Sequence, residues 1–416
     1  MVKEYNPYLE YVKDELFLEG VSLRELAEKY GTPLYVYSAS YIRDRLREYR
    51  ESFPGALICY AVKANFNPHI VSLMAGEGAG ADIVSGGELY VALMAGVNPS
   101  RIVYAGVGKT VKELVEAIKA DILMFNVESR MELEILNQLG EQLGKKVRIS
   151  IRVNPHVDPK THPYIATGMK KSKFGIDIDR AEEEYRYALS MKNIQVVGVH
   201  CHIGSQILDT SPYVEAVSKV VDLYRSLEDQ GIELQYLDIG GGLGIKYKPE
   251  DRALTPMELS SALSPILQKV KATVVLEPGR SLVGNAGVLI TQVQFVKDKG
   301  EKHFVIVDAG MNDLIRPAIY DAYHHILPVV KRGRPSIVTD VVGPICETGD
   351  FLAKDRQLEE VGRGDYLAVL SAGAYGFAMS SHYNVRPRAC EVLVDRGYVR
   401  VIREREDYQY ILSKSS

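Results

Sequence analysis

Short apolar runs alternate with amphipathic stretches along the first two thirds of the chain. Three stretches, at residues 85–96, 110–120 and 129–144, repeat apolar residues at helical spacing, and Ser129 is expected to cap the last of them. Eight β-branched or aromatic runs lie around these stretches, and each ends on a glycine or a polar cluster: LICYAVKAN (57–65), ADIVS (81–85), RIVYAGV (101–107), ILMFNVE (122–128), VRISIRVNP (147–155), VVGVHCHIGS (196–205), LQYLDIGGG (234–242) and TVVLEPGR (273–280). Eight alternations predict an α/β fold of the (β/α)8 TIM-like barrel type. The alternative is an open Rossmann-like sheet, which usually has fewer strands.

The pattern changes after Glu277 to strand-like runs that short turns separate. These runs are GVLITQVQFVKD (287–298), HFVIVDAG (303–310), SIVTDVVGPIC (336–346) and EVLVDRGYVRVI (391–402). We therefore predict a barrel domain over residues 36–280 and a β-rich sandwich or barrel domain over 281–416. Residues 1–35 lead into the strand signal TPLYVYS (32–38), so we expect them to pack with the β-rich domain. The charged tail REREDYQYIL (403–412) is interpreted as a solvated strand with its flank.

Composition narrows the class of protein. The chain has 416 residues, 46% of them hydrophobic and 25% charged, which is enough for a large core and two domains. Its formal net charge is −4 and it has no long basic run, so nucleic acid is not expected as a partner. No signal-peptide core and no membrane-spanning run is apparent, which predicts a cytoplasmic protein without a membrane partner. Four widely separated cysteines without a CxxC pair argue against a disulfide framework or a zinc ribbon, and no metal site is predicted.

Candidate chemistry lies at the ends of the predicted barrel strands, where barrel enzymes build their sites. Lys63 ends the first run, His202 follows the sixth, residues 240–242 end the seventh and Glu277 the eighth. A lysine at a buried strand end usually pairs with a carboxylate or reaches solvent. The other interpretation is a Schiff-base lysine, whose pKa burial lowers so that its neutral amine attacks a carbonyl.

The glycines at 240–242 are expected to leave backbone N–H groups uncovered for a phosphate, with Ser205 and Arg280 as further donors. A tight turn is the alternative. No Walker lysine follows these glycines and no GxGxxG motif opens a helix. A lysine together with a phosphate site suggests pyridoxal 5'-phosphate held on Lys63. Glu277 would then keep the ring nitrogen protonated, and His202 would stack on the ring or serve as a hydrogen-bonded barrel residue.

Four motifs carry a resemblance to a known family. YAVKAN (60–65), HCHIGSQ (200–206), DIGGG (238–242) and EPGR (277–280) resemble, in this order, the fold type III pyridoxal-phosphate decarboxylases that act on ornithine, arginine and diaminopimelate. Four further stretches are similar to the diaminopimelate decarboxylases of that family: THPYIATGMKKSKFGI (161–176), MNDLIRPAIYDAYH (311–324), GPICETGDFLA (343–353) and GAYGFAMSSHYNVRPR (373–388). The match covers nearly the whole chain. It implies decarboxylation of meso-2,6-diaminopimelate to L-lysine and CO₂, the last step of lysine biosynthesis.

The resemblance also implies roles for single residues. Lys63 would be the Schiff-base lysine and His202 the residue stacked on the ring, with Glu277 on the ring nitrogen. The implied phosphate and cofactor contacts are Ser205, Gly240, Gly241, Gly242, Gly279, Arg280 and Tyr375. The implied substrate contacts are Arg280, Arg316, Tyr320, Glu347 and Tyr375. Cys346 would be the proton donor, supplied by the partner chain of a homodimer with shared active sites.

The implied substrate explains those contacts, because diaminopimelate carries an amino acid centre at each end. Arg280 and Arg316 suit the distal carboxylate, and Glu347 suits the distal ammonium group. Judged singly, each arginine is more simply a surface ion pair, and Cys346 a small buried apolar residue.

Some positions stay open. Asp82 and Glu88 either tune the site or cap a helix. The loop at 157–176, with Lys170, Lys171 and Lys173, either closes over substrate or forms a solvated face. His382–Tyr383 departs from the family pattern at a point expected to lie beyond the matched contacts.

Three rival functions remain at this point. An ornithine or arginine decarboxylase would share the cofactor residues but lack the pattern of Arg316, Tyr320 and Glu347. An amino acid racemase would favour a positive residue at the ring nitrogen, which Glu277 contradicts. A homologue that binds the cofactor without turnover would be expected to lose Lys63 or Cys346, and this sequence retains both.

Overall fold

The computed structural model describes residues 2–159, 168 and 172–415. The chain forms two compact units. The barrel unit comprises residues 45–244 and 253–281, and the β-rich unit comprises residues 1–44, 245–252 and 282–416. Compared with the predicted division at residues 36 and 281, residues 36–44 and 245–252 lie with the β-rich unit.

The barrel unit is a closed ring of eight parallel strands. Its strands are β5 (Leu57–Ala61), β6 (Gly80–Ile83), β7 (Ile102–Tyr104), β8 (Met124–Val127), β9 (Val147–Asn154), β11 (Ile194–His200), β12 (Tyr236–Asp238) and β13 (Thr273–Leu276). The last strand, β13, pairs with the first, β5, and this pairing closes the ring. A short extra strand, β10 (Ile176–Asp177), pairs with β9. Each predicted apolar run contains one ring strand, so the predicted eight-stranded barrel is confirmed.

Helices follow the barrel strands and cover the outer side of the barrel, because both faces of a parallel sheet must be buried. They are α3 (Pro68–Gly76), α4 (Gly86–Met94), α5 (Val111–Ala120), α6 (Arg130–Leu143), α7 (Ala181–Leu189), α8 (Ser211–Asp229) and α9 (Pro256–Leu267). Ser129 caps α6 by accepting a hydrogen bond from the Glu132 amide, as predicted. Within the described ranges we find no helix that combines the length and the apolar character needed to cross a membrane.

The β-rich unit contains the remaining strands. They are β1 (Leu9–Val12), β2 (Glu15–Leu18), β3 (Val21–Ser22), β4 (Leu34–Ser38), β14 (Gly287–Asp298), β15 (His303–Val307), β16 (Ile326–Pro328), β17 (Ser336–Val342), β18 (Phe351–Glu359), β19 (Tyr366–Val369), β20 (Cys390–Asp395) and β21 (Tyr398–Arg403). Strands β1 to β3 form a small sheet, and the other nine form a second sheet. Within it, β4 lies between β14 and β20, so the strand that TPLYVYS predicts belongs to this sheet.

The remaining helices are short or lie near the N-terminus: α1 (Leu23–Tyr30), α2 (Ala39–Ser52), α10 (Arg280–Val283), α11 (Arg316–Tyr320) and α12 (Tyr408–Leu412). Helix α12 corrects the interpretation of the tail at 403–412 as a strand. Strand β21 ends at Arg403, and the Asp407 side chain caps α12 through the Tyr410 amide. The first barrel strand is also shorter than predicted, because it ends at Ala61 and residues Val62–Ala64 form a 3-10 turn.

Candidate active site

The C-terminal ends of the barrel strands surround a cavity of about 380 Å³. Lys63, Arg152, His200, His202 and Glu277 are among the residues that line it. The predicted convergence of a lysine, a histidine and a carboxylate on one barrel mouth is therefore present.

Lys63 lies in the 3-10 turn that follows β5, and it pairs with a buried carboxylate. Its Nζ is 2.6 Å from Oδ2 of Asp82, a fully buried residue of β6. Burial and the charge of Glu277 raise the pKa of Asp82 to about 7, although the charge of Lys63 opposes this rise. Among the described residues the other oxygen of Asp82, Oδ1, has no hydrogen-bond partner. Asp82 therefore holds the lysine and is not a helix cap.

This raised pKa makes a testable prediction for the chain without cofactor. A carboxyl group whose pKa rises from about 3.8 to about 7 on folding binds more protons in the folded state between those values. Stability therefore falls as the pH rises from 4 to 7, by at most about 1.4 kcal/mol per pH unit for one group. We expect Asp82→Asn to flatten this part of the profile in urea denaturation, whereas Asp121→Asn, at an exposed ion pair, should keep the wild-type slope. Equal slopes in all three proteins would contradict the prediction.

Glu88 lies in the first turn of α4, which Ser85 caps. Its Oε2 accepts a hydrogen bond from the Val84 amide at 2.8 Å, and its own amide donates to the Ser85 side chain at 3.1 Å. Glu88 thus supports the N-terminus of this helix, in line with one of the two roles that the sequence left open. Burial also raises its pKa.

Glu277 lies just after β13 in a layer of buried polar side chains. Asn126 Nδ2 is 3.2 Å from Oε1 of Glu277, and Nε2 of His200 is 3.3 Å from Oε2. Ser150 donates to the Asn126 oxygen at 2.6 Å and fixes the orientation of this amide. The carboxylate of Glu277 is thus held at both of its oxygens.

The pKa values of two buried carboxyl groups, Glu277 and Asp238, shift in opposite directions. Burial acts to raise the pKa of Glu277, but the His200 ring and the charge of Lys63 outweigh it and lower the pKa. Burial, with the charge of Glu277, raises the pKa of Asp238 well above its ordinary range. The lowered pKa leaves Glu277 ionised at neutral pH.

The sequence reasoning missed His200, Asn126 and Ser150. Burial lowers the pKa of His200, and its Nδ1 has no hydrogen-bond partner in the described part of the chain. The His200 ring is therefore neutral and carries its proton on Nε2, which donates to Glu277, while Nδ1 carries no proton. The available signal was the alternation in VVGVHCH, which places residues 200 and 202 on the same side of an extended segment.

The glycine turn at 240–242 packs tightly between neighbouring strand ends. A Cβ atom at Gly241 would lie 2.1 Å from the carbonyl oxygen of Glu277, so only glycine fits there. The Gly240 amide donates to Asp238 Oδ1 at 2.9 Å, and the Gly241 amide donates to Nδ1 of His202 at 3.2 Å. The expectation that the turn leaves its N–H groups uncovered is thus wrong for these two glycines.

The bond from Gly241 also fixes the ring of His202. Because Nδ1 accepts this hydrogen bond, the ring proton must lie on Nε2 in the neutral form. Burial, assisted by the charges of Arg152 and Lys63, lowers the pKa of His202 well below its ordinary value. The ring is therefore neutral and held in one orientation beside the cavity.

Arg280 and Ser205 lie together at the same end of the barrel. The Nε and Nη2 atoms of Arg280 are 3.3 and 3.1 Å from Ser205 Oγ. Gly279, the preceding residue, approaches the turn that carries Lys63, since a Cβ atom there would be 3.1 Å from that of Ala64. Only 5% of Arg280 is exposed, so the surface ion-pair interpretation is wrong for this arginine.

The other predicted substrate contacts belong to the β-rich unit. Arg316 begins α11 and is buried; its Nη1 is 2.9 Å from Nε2 of His324, and its guanidinium group lies over the Tyr247 ring. The surface ion-pair interpretation is therefore wrong for Arg316 as well. Tyr320 lies one helical turn later on the same face. Tyr375 has a φ of +56°, which is strained for a residue with a Cβ atom.

Cys346 and Glu347 lie in the turn between β17 and β18. Cys346 is exposed, so its interpretation as a buried apolar residue is wrong. Asn384 Oδ1 accepts a hydrogen bond from the Cys346 amide at 2.9 Å, and the neighbouring Glu347 raises the pKa of Tyr383. The SSHYN stretch thus contacts a predicted site residue, which corrects the expectation that its departure lies beyond the matched contacts.

Most of the loop at 157–176 lies outside the described residues, including Lys170 and Lys171. Lys173 is described and exposed, and its Nζ is 5.3 Å from the centre of the Phe174 ring. The predicted closure of this loop over substrate stays a prediction.

The barrel residues fit pyridoxal phosphate. Lys63 supplies the amine that an aldehyde requires, and the unpartnered Oδ1 of Asp82 lies buried beside it. The ionised Glu277 matches a protonated ring nitrogen, and the Arg280–Ser205 pair matches a phosphate group.

Comparisons with known proteins identify the family to which the chain is similar. Residues 39–284 match the family described as pyridoxal-dependent decarboxylase, pyridoxal binding domain. A diaminopimelate decarboxylase of Aquifex aeolicus (strain VF5) is 68% identical over 415 residues, covering 100% of this chain and 99% of that protein. Two solved diaminopimelate decarboxylases carry L-lysine. The one from M. jannaschii is 41% identical with a TM-score of 0.95 (99% and 98% of the two chains), and the one from Helicobacter pylori is 44% identical with a TM-score of 0.91 (94% and 98%).

The family match spans the whole barrel unit, and the relatives align over both units. The chain therefore belongs to the pyridoxal-dependent decarboxylases, and within them to the diaminopimelate decarboxylases.

Proposed function

We propose that this chain decarboxylates meso-2,6-diaminopimelate to L-lysine and CO₂, and that this reaction is its role in lysine biosynthesis. The observation that carries the proposal is that Lys63 and Glu277, an amine and an ionised carboxylate, face one cavity at the barrel mouth. The L-lysine bound in the two related decarboxylases supports the assigned product.

Pyridoxal phosphate, when bound, supplies the electron sink that accepts the bond pair released as the carboxylate leaves as CO₂. Lys63 would hold its aldehyde, and Asp82 keeps that amine in place. Glu277 would accept the ring N–H, since Asn126 and His200 orient its carboxylate. His202 would lie against the ring, and Ser205, Arg280 and the Gly242 amide would bind the phosphate. Gly279 allows the Arg280 segment to pack against the lysine turn.

The distal end of the substrate sets specificity in this proposal. Arg280 and Arg316 are assigned to the distal carboxylate, and the Tyr320 hydroxyl is assigned as an additional donor to it. Glu347 is assigned to the distal ammonium group and Tyr375 to both cofactor and substrate. A site whose polar groups are arranged for a second carboxylate should strongly reject an analogue that lacks it.

The final step returns a proton to the reacting carbon. Cys346 is assigned as the donor because its thiol is exposed and therefore accessible to a substrate. We place it in the active site of the partner chain of a homodimer with shared sites. A cytoplasmic location completes the proposal, since small intermediates of biosynthesis are made and consumed there.

A substrate panel tests the function. The purified protein, loaded with pyridoxal phosphate, is offered meso-diaminopimelate, L,L-diaminopimelate, ornithine and arginine, and release of CO₂ and formation of lysine are measured. We expect turnover of the meso isomer, with the other three at least about a hundred-fold slower in kcat/KM. Turnover of ornithine or arginine alone would remove the assigned roles of Arg316 and Glu347. Inactivity with all four would indicate a cofactor-binding protein without turnover.

A further inference from the structure

The turn that carries Cys346 is fixed at two consecutive backbone amides. The Ile345 amide donates to Asp350 Oδ2 at 2.6 Å, and the Cys346 amide donates to Asn384 Oδ1 at 2.9 Å. Asp350 is buried, and its other oxygen accepts a hydrogen bond from the Met311 amide, also at 2.6 Å. The buried Asp350 therefore holds the turn at the Ile345 amide, and Asn384 holds it at the Cys346 amide.

Asn384 belongs to a short segment whose backbone is strained. Asn384 and Val385 have φ values of +57° and +56°, and a β-branched residue is seldom found in this left-handed conformation. The Val385 amide donates to the His382 carbonyl at 2.7 Å and closes the segment into a turn. Such a conformation persists only where surrounding contacts determine it.

Those contacts include an ion-paired anchor. Glu406, of whose side chain only 7% is exposed, is hydrogen-bonded to the His382 ring and forms an ion pair with Arg388. Its Oε2 also accepts the Arg388 amide at 3.2 Å. One carboxylate thus holds both ends of the segment that presents Tyr383 and Asn384.

This segment contacts the Cys346 turn through Asn384, whose side-chain oxygen accepts a hydrogen bond from the Cys346 amide. This contact does not block the thiol, because Cys346 remains exposed. A proton donor must be held at one position relative to the atom that it protonates, and a misplacement of 1 Å can cost about a hundred-fold in rate.

We infer that the segment 382–388 positions the active-site turn, with Asn384 orienting Cys346. Asn384 is a positioning residue, since it acts through the residue that it holds. The expected effect on kcat rests on the proposed function. The expected effect on hydrogen exchange of the Cys346 amide does not depend on turnover.

Asn384→Gly is the sharpest test. Glycine adopts the left-handed conformation without strain, so the substitution removes the acceptor and leaves the backbone conformation accessible. Asn384→Asp keeps an oxygen acceptor at the same position. We expect faster hydrogen exchange of the Cys346 amide in Asn384→Gly, together with a kcat about ten- to a hundred-fold lower and a nearly unchanged KM. Asn384→Asp should restore the slow exchange and a large part of kcat.

The outcomes separate the two proposals. Unchanged exchange of the Cys346 amide in Asn384→Gly would overturn the inference, whatever the activity. Faster exchange with an unchanged kcat in an active enzyme would overturn it too, since the bond would then not position the donor. If the wild-type protein does not decarboxylate diaminopimelate, the proposed function fails, and the exchange data still decide whether Asn384 holds the turn.

Discussion

Substitution of Lys63 by alanine is expected to reduce the decarboxylation rate at least about a thousand-fold. The variant loses the amine that would bind the cofactor aldehyde. It also leaves Asp82 buried without its ammonium partner, and because burial already raises the pKa of Asp82 to about 7, this carboxyl group should become protonated and not remain as an unpaired charge. The chain should consequently still fold.

Three measurements check this expectation. Activity is assayed as CO₂ release, attachment of the cofactor is followed by its visible absorption and by mass after borohydride reduction, and folding is followed by urea denaturation. Lys145→Ala is a suitable control, because Lys145 binds the Ile118 carbonyl oxygen at the end of α5 and does not line the cavity. More than about a tenth of wild-type activity in Lys63→Ala would contradict the assigned role.

The fold was predictable because its signal is repeated along the chain. Eight buried strands that each end on glycine or a polar cluster leave few alternatives to a closed barrel, and a shift of one boundary does not change that count. The tail at 403–412 lacked such support. Tyr408 and Tyr410 alternate with other residues as in a strand, but an alternation over five residues does not distinguish a strand from a helix. The structure has a helix here, α12, which the Asp407 side chain caps.

The candidate site was predictable only where the chemistry requires a particular residue type. Lys63, Glu277 and His202 could be named because an amine, a carboxylate and a flat ring at strand ends describe a cofactor site. His200 and Asn126 escaped notice, because their importance is their contact with Glu277, which is distant from both in sequence. For the same reason the sequence placed the SSHYN stretch beyond the matched contacts, although Asn384 of this stretch bonds to the Cys346 amide.

Substitution of Cys346 by alanine should lower kcat by about a hundred- to ten-thousand-fold, the range of a lost general acid. Cofactor absorption and the affinity for substrate should change little, because the thiol is exposed and its backbone amide, not its side chain, bonds to Asn384. Cys390→Ala, at a buried cysteine in β20, is the control for the loss of a thiol as such. Wild-type turnover in Cys346→Ala would remove the acid role.

A mixture of the two inactive variants then tests whether each site takes its donor from the partner chain. In a hybrid dimer of Lys63→Ala and Cys346→Ala, sharing across the interface assembles one site with both residues and one with neither. Random exchange makes half of the dimers hybrid, so about a quarter of wild-type activity should return. If both residues of a site came from one chain, every hybrid site would lack one of them and the mixture would stay inactive. The same experiment therefore tests both the formation of a dimer and the origin of the proton donor. Activity returns only if two chains associate and each supplies a residue to the other's site.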